Sequence, residues 1–119
     1  MGLTRLRFTV SHPVELERSA VVELLVDTGA MISFVPRDLL ESLGVPRQFR
    51  RVFRLADGQT IERDMGAAVF SWNGHASVAA VVFAEPNDEP VLGVTALEPM
   101  GLHVDPATQT LKSTGALLV

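Results

Sequence analysis

The sequence predicts an all-β domain, and three observations carry that prediction. Short apolar or β-branched runs recur along the chain, turn signals separate them at close intervals, and no series of long helices alternates with the strands. The chain has 119 residues, 47% of them hydrophobic, which is enough to build the core of one domain spanning residues 1–119.

Residues 4–10 form the first expected strand, broken by Ser11-His12-Pro13. A charged stretch through Glu15, Glu17 and Arg18 leads to a second strand over residues 20–26, rich in valine and leucine. Pro36 suits the first position of a short helix that presents Leu39, Leu40 and Leu43 on one face, with Gly44 as its left-handed stop. Residues 52–56 and 59–64 flank Asp57-Gly58, and residues 67–72 and 76–83 flank Asn73-Gly74, which predicts two successive hairpins with two-residue turns. A polar loop over residues 85–90 precedes the short strand Val91-Leu92-Gly93. Thr95-Ala96-Leu97-Glu98 has capping-box spacing for a second helix closing at Gly101. Strands over residues 102–105 and 110–112, joined at Pro106-Ala107-Thr108, and an apolar strand-like tail over residues 116–119 complete the order.

Composition narrows the function. A net charge of −4 gives no general attraction to nucleic acid. No apolar run approaches the length of a membrane helix, and Arg5 and Arg7 interrupt what a signal peptide would need. Leu6 stands where a myristoylation signal after Gly2 needs serine or threonine. The absence of cysteine fits a reducing compartment and excludes disulfides and thiolate chemistry. The expectation is a cytoplasmic protein with no nucleic-acid or membrane partner.

The most informative segment is Leu24-Leu25-Val26-Asp27-Thr28-Gly29-Ala30, an apolar strand that ends on a carboxylate and turns at once, with Gly29 expected to permit the bend. A carboxylate at the end of a buried strand calls for a cation, hydrogen-bond donors or a second carboxylate. Asp, Thr and Gly are also ordinary turn formers, so the triplet alone is a weak signal. The ordered set is stronger. Asp27-Thr28-Gly29-Ala30 resembles the catalytic loop of retroviral-type aspartic proteases, Ala56-Asp57-Gly58-Gln59 falls where their flap tip belongs, and Val91-Leu92-Gly93 falls where a strand crosses beneath their active site. Asn73-Gly74-His75-Ala76 also fits the pattern. Retroviral enzymes commonly carry an acidic residue after the catalytic alanine and an arginine after the late glycine; Met31 and Val94 stand there instead, so both members of the pair are missing together and neither leaves a buried charge behind.

The resemblance implies a retropepsin-like protomer with one or two short helices, acting as an aspartic endopeptidase on peptide or protein substrates without metal or cofactor. That chemistry needs two carboxylates about one water, one accepting its proton and one polarising the scissile carbonyl. None of Asp38, Asp57, Asp64, Asp88 or Asp105 lies in a second such turn, so a homodimer joining Asp27 to Asp27 is the economical solution. By the same resemblance Asp27, Thr28 and Gly29 form the catalytic set, Thr28 cross-linking the two loops and Gly29 leaving room for substrate backbone. Ala30 and residues Ala56, Asp57, Gly58 and Gln59 would contact substrate, and Val91, Leu92 and Gly93 would support the site. The alternative is a non-catalytic dimerisation or peptide-binding module of the same fold. Arg50, Arg51, Arg54 and Arg63 crowd the first hairpin; such a cluster is ordinarily a solvated face, and a bias towards acidic peptides is the sharper reading. His12, His75 and His103 lack the spacing of a zinc site. The tail is expected to interleave with that of the partner, beside the N-terminal strand.

Overall fold

The structure is a computed structural model that describes residues 4–114, so the expected tail strand lies outside the described residues. These residues form nine strands and two short helices. β1 (Thr4–Ser11) and β2 (Ser19–Val26) pair antiparallel along their whole length, from Thr4 opposite Val26 to Ser11 opposite Ser19. Along β2 the buried side chains are Leu24 and Val26, two apart, because alternate residues of a strand face the same side.

A four-residue strand, β3 (Ser33–Pro36), follows and was not expected from the sequence, being too short to show a period. Pro36 ends β3, and its extended backbone (φ −50°, ψ 131°) places it before helix α1 (Arg37–Ser42) rather than inside its first turn. Gly44 takes the expected left-handed conformation at φ +74°.

β4 (Phe49–Arg54), β5 (Thr60–Trp72) and β6 (His75–Ala84) make the two hairpins. The segments expected as separate strands over residues 59–64 and 67–72 are one 13-residue strand, since no turn separates them. Its outer half pairs with β4 and its inner half with β6, the two meeting at Met65. Asn73 and Gly74 both have positive φ, as a two-residue hairpin turn requires. The first hairpin is different: Gly58 N–H donates to the Leu55 carbonyl, Leu55 N–H donates to the Gln59 carbonyl, and Gly58 sits at φ +89°, which is a three-residue loop over Ala56, Asp57 and Gly58.

β7 (Val91–Leu92) precedes helix α2 (Val94–Leu97), and β8 (Leu102–Asp105) and β9 (Thr110–Ser113) form a small separate hairpin. The capping box does not form. Gly93 holds the N-cap position, and the Thr95 hydroxyl donates to the Met31 carbonyl at 2.7 Å instead.

The main sheet has the order β1-β2-β7-β3-β6-β5-β4, and β5 also pairs with β1 through residues 69–71. Six strands therefore close on themselves around a core that includes Phe8, Val10, Leu24, Phe70, Phe83 and Leu92, while β4 and the outer half of β5 project as an arm. α2 lies against this body, where the buried Ser77 hydroxyl donates to the Ala96 carbonyl at 2.8 Å.

Candidate active site

β2 delivers Asp27, and β7 sets its position. Leu25 N–H donates to the Pro90 carbonyl and Asp27 N–H to the Leu92 carbonyl, both at 3.1 Å, so the parallel ladder runs to the residue that bears the carboxylate. β3 pairs with the other edge of β7, at Phe34 opposite Val91. The loop between Asp27 and Ser33 thus carries the chain across the end of β7, and Val91-Leu92 lies between the strand of Asp27 and the strand of Phe34.

Gly93 shows why this crossing needs glycine. A Cβ there would stand 2.8 Å from the backbone carbon of Ile32 and 2.9 Å from that of Met31, closer than non-bonded atoms approach. Its N–H donates to the hydroxyl of the fully buried Ser33 at 2.9 Å. Val94 N–H donates to the Ala30 carbonyl and Thr95 N–H to the Met31 carbonyl, at 2.9 and 3.1 Å. Backbone bonds thereby hold residues 30–31 against 94–95, the region in which Met31 and Val94 replace a charged pair.

One Asp27 carboxylate oxygen accepts the Gly29 N–H at 2.9 Å, and the Asp27 carbonyl accepts the Ala30 N–H at 3.0 Å, a tight turn closed by its own aspartate. The bend at Gly29 does not depend on a left-handed conformation, and glycine suits it because a larger residue is crowded there. A Cβ at Gly29 would instead meet the Asp27 carboxylate oxygen at 3.2 Å. Asp27 and Ala30 are half-buried, whereas Thr28 and Gly29 are exposed. Asp27 is therefore better solvated than its place at the end of a buried strand suggested.

The arm leans over this loop. A cavity of about 220 Å³ lies between them, with Ala30, Met31, Ile32 and Phe34 on one wall and Arg51, Phe53, Arg54 and Leu55 on the other. The Phe34 and Phe53 rings meet edge to face across it at 5.8 Å. The tip residues Ala56, Asp57, Gly58 and Gln59 are exposed and do not line this cavity; the stem of the hairpin does. Sequence reasoning missed Phe34 and Phe53 because their meeting depends on the unexpected β3 and on the tilt of the arm.

Arg63 fastens the arm to the body. Its guanidinium makes a two-pronged pair with Asp88 at 2.7 and 2.8 Å, with only 17% and 13% of the two side chains exposed. Asp88 is held below the usual carboxylate range, first by the Arg63 hydrogen bonds against the opposing effect of burial, and it also accepts the Glu85 N–H at 2.8 Å. Two histidines serve local structure: His12 Nδ1 accepts the N–H groups of Val14 and Glu15, and His75 Nδ1 lies 3.1 Å from the Met100 carbonyl. No group of three or more histidine, aspartate or glutamate side chains among the described residues is arranged to hold a metal ion, and no helix among them is long and apolar enough to cross a membrane.

A mostly β-stranded fold that supports a strand-end Asp-Thr-Gly loop on a Val-Leu-Gly strand defines the retropepsin-like class of acid proteases. Comparison with family models agrees: the model described as aspartyl protease matches residues 13–96, well over half of the chain, and the chain belongs to that family. The match takes in the Asp27 loop, the arm and Val91-Leu92-Gly93. No curated protein matches the chain closely enough to be called a relative.

Proposed function

We propose that the protein is an aspartic endopeptidase that works as a homodimer, its two Asp27 carboxylates sharing one water. The observation that carries this reading is the state of the Asp27 loop in a single protomer. The carboxylate is aimed and braced by backbone bonds, yet among the described residues its one hydrogen-bond donor is Gly29 and the hydroxyl of the exposed Thr28 beside it has no partner. A second copy of the loop supplies what is lacking. One carboxylate, ionised, takes a proton from the water as it attacks the carbonyl carbon; the other, protonated, donates to the carbonyl oxygen; and proton return to the amide nitrogen releases the amine.

The arm supports the same reading. β4 is the last strand in the sheet order, so its outer edge has no strand partner among the described residues, and an extended peptide can bond to its backbone as an added strand. Within this reading Asp27, Thr28 and Gly29 are the catalytic set and the arm closes over substrate.

Incubation of the protein with a mixed peptide library, alongside Asp27→Asn, tests the proposal. Cleavage by the wild type and none by the variant, with the variant still dimeric in sedimentation, is the expected result. Equal cleavage by both removes Asp27 from the chemistry, and peptide binding without cleavage by the wild type establishes the non-catalytic alternative.

A further inference from the structure

Five of the ten basic residues fall between Arg47 and Arg63, and the structure sorts them into two kinds. Arg47 pairs with Glu41 and Asp64, Arg50 with Asp64 and Glu62, and Arg63 with Asp88. These three have their charges met within the protomer. Arg51 and Arg54 make no ion pair among the described residues, and both line the groove between the arm and the Asp27 loop.

Register explains part of the division. Side chains alternate along a strand, so Arg51 and Phe53 share the face of β4 turned towards the body, whereas Arg50 points to the other face, where its acidic partners lie. Arg63, directly opposite Arg51 on β5, also points inward, but Asp88 occupies it. The Arg51 guanidinium lies over the Phe53 ring, 5.3 Å from its centre, which places a cation on the rim of an apolar wall. Arg54, by the same alternation, falls on the face of Arg50, but it ends β4 beside Leu55 and lines the groove near the turn. The pocket is thus apolar in its depth and doubly cationic at its edge, in a protein whose net charge of −4 would otherwise repel acidic chains.

We infer that this groove is a specificity subsite for peptides carrying an acidic residue within two positions of a large apolar one. The apolar side chain packs in the groove against the Phe34–Phe53 pair, and the carboxylate meets Arg51 and Arg54. Residues two apart in an extended peptide lie on the same side, which allows both contacts at once. This inference takes its setting from the endopeptidase reading and names the substrate class for that site.

Binding to Asp27→Asn separates the two. Short labelled peptides containing one leucine or phenylalanine, and differing only in Glu, Gln or Lys two positions away, are titrated by fluorescence anisotropy. The Glu peptide is expected to bind about 3- to 10-fold more tightly than the Gln peptide, the scale of one or two exposed ion pairs, and the Lys peptide more weakly than either. The advantage should shrink at high salt. It should vanish in a variant that also carries R51Q and R54Q, and persist with R50Q, which removes the same charge from a side chain outside the groove. Equal binding of the three peptides, no binding of any, or a ranking unchanged by R51Q and R54Q overturns the subsite. If the ranking holds and wild-type protein cleaves nothing, the endopeptidase reading fails and the subsite stands; if Asp27-dependent cleavage occurs without the ranking, the reverse is true.

Discussion

At the residue scale, the site is set by backbone contacts that leave no room for side chains. Gly29→Ala should leave the protein folded, since the backbone there is not left-handed, but should crowd the carboxylate it now supports through the 3.2 Å contact. A displaced catalytic group costs rate steeply, so peptide cleavage is expected to fall at least about 10-fold with the melting temperature little changed. Gly93→Ala is the opposite case. Its Cβ would press on Met31 and Ile32 backbone, which cannot rotate away, and a loss of about 1–3 kcal/mol of stability, read by denaturant titration, is expected. The Asp27-Thr28-Gly29 turn was legible in the sequence because these residue types are tied to local turn chemistry. Ser33 was not: its hydroxyl is defined by the Gly93 N–H, 60 positions away.

At the element scale, the arm is held to the body by the Arg63–Asp88 pair. Because the native Asp88 pKa is depressed, the native protein binds this proton less readily than the unfolded chain does. The stabilisation is therefore full above the unfolded aspartate value, about 3.9, and is lost as the pH falls through the lower native value. Asp88→Asn is expected to lower stability by about 1–3 kcal/mol at neutral pH, since it leaves the largely buried Arg63 without its carboxylate. The gap between variant and wild type should close as the pH is taken below about 4, measured by urea unfolding across the range. Both hairpins could be seen from Asp57-Gly58 and Asn73-Gly74, because a turn is a property of adjacent residues. The union of the two middle segments into one long β5 could not, because it depends on which strand each half pairs with.

At the scale of the whole molecule, the proposed shared site would make catalysis a property of two chains. Cleavage activity should fall more steeply than linearly on dilution below the dimer's dissociation constant, and a fully active monomer in sedimentation would end the shared-site mechanism. The pH profile of cleavage should be bell-shaped, because full protonation removes the base and full ionisation removes the acid.

The sequence by itself determined the all-β class, most strand positions and the identity of the carboxylate loop, since period, turn chemistry and motif are carried by neighbouring residues. Tertiary structure decided the rest. The closing of six strands, the passage of the loop over β7 and the division of the arginines into paired and unpaired are long-range facts. Arg50 and Arg51 are adjacent and chemically identical in the sequence; only pairing with β5 turns one towards Asp64 and the other towards the groove.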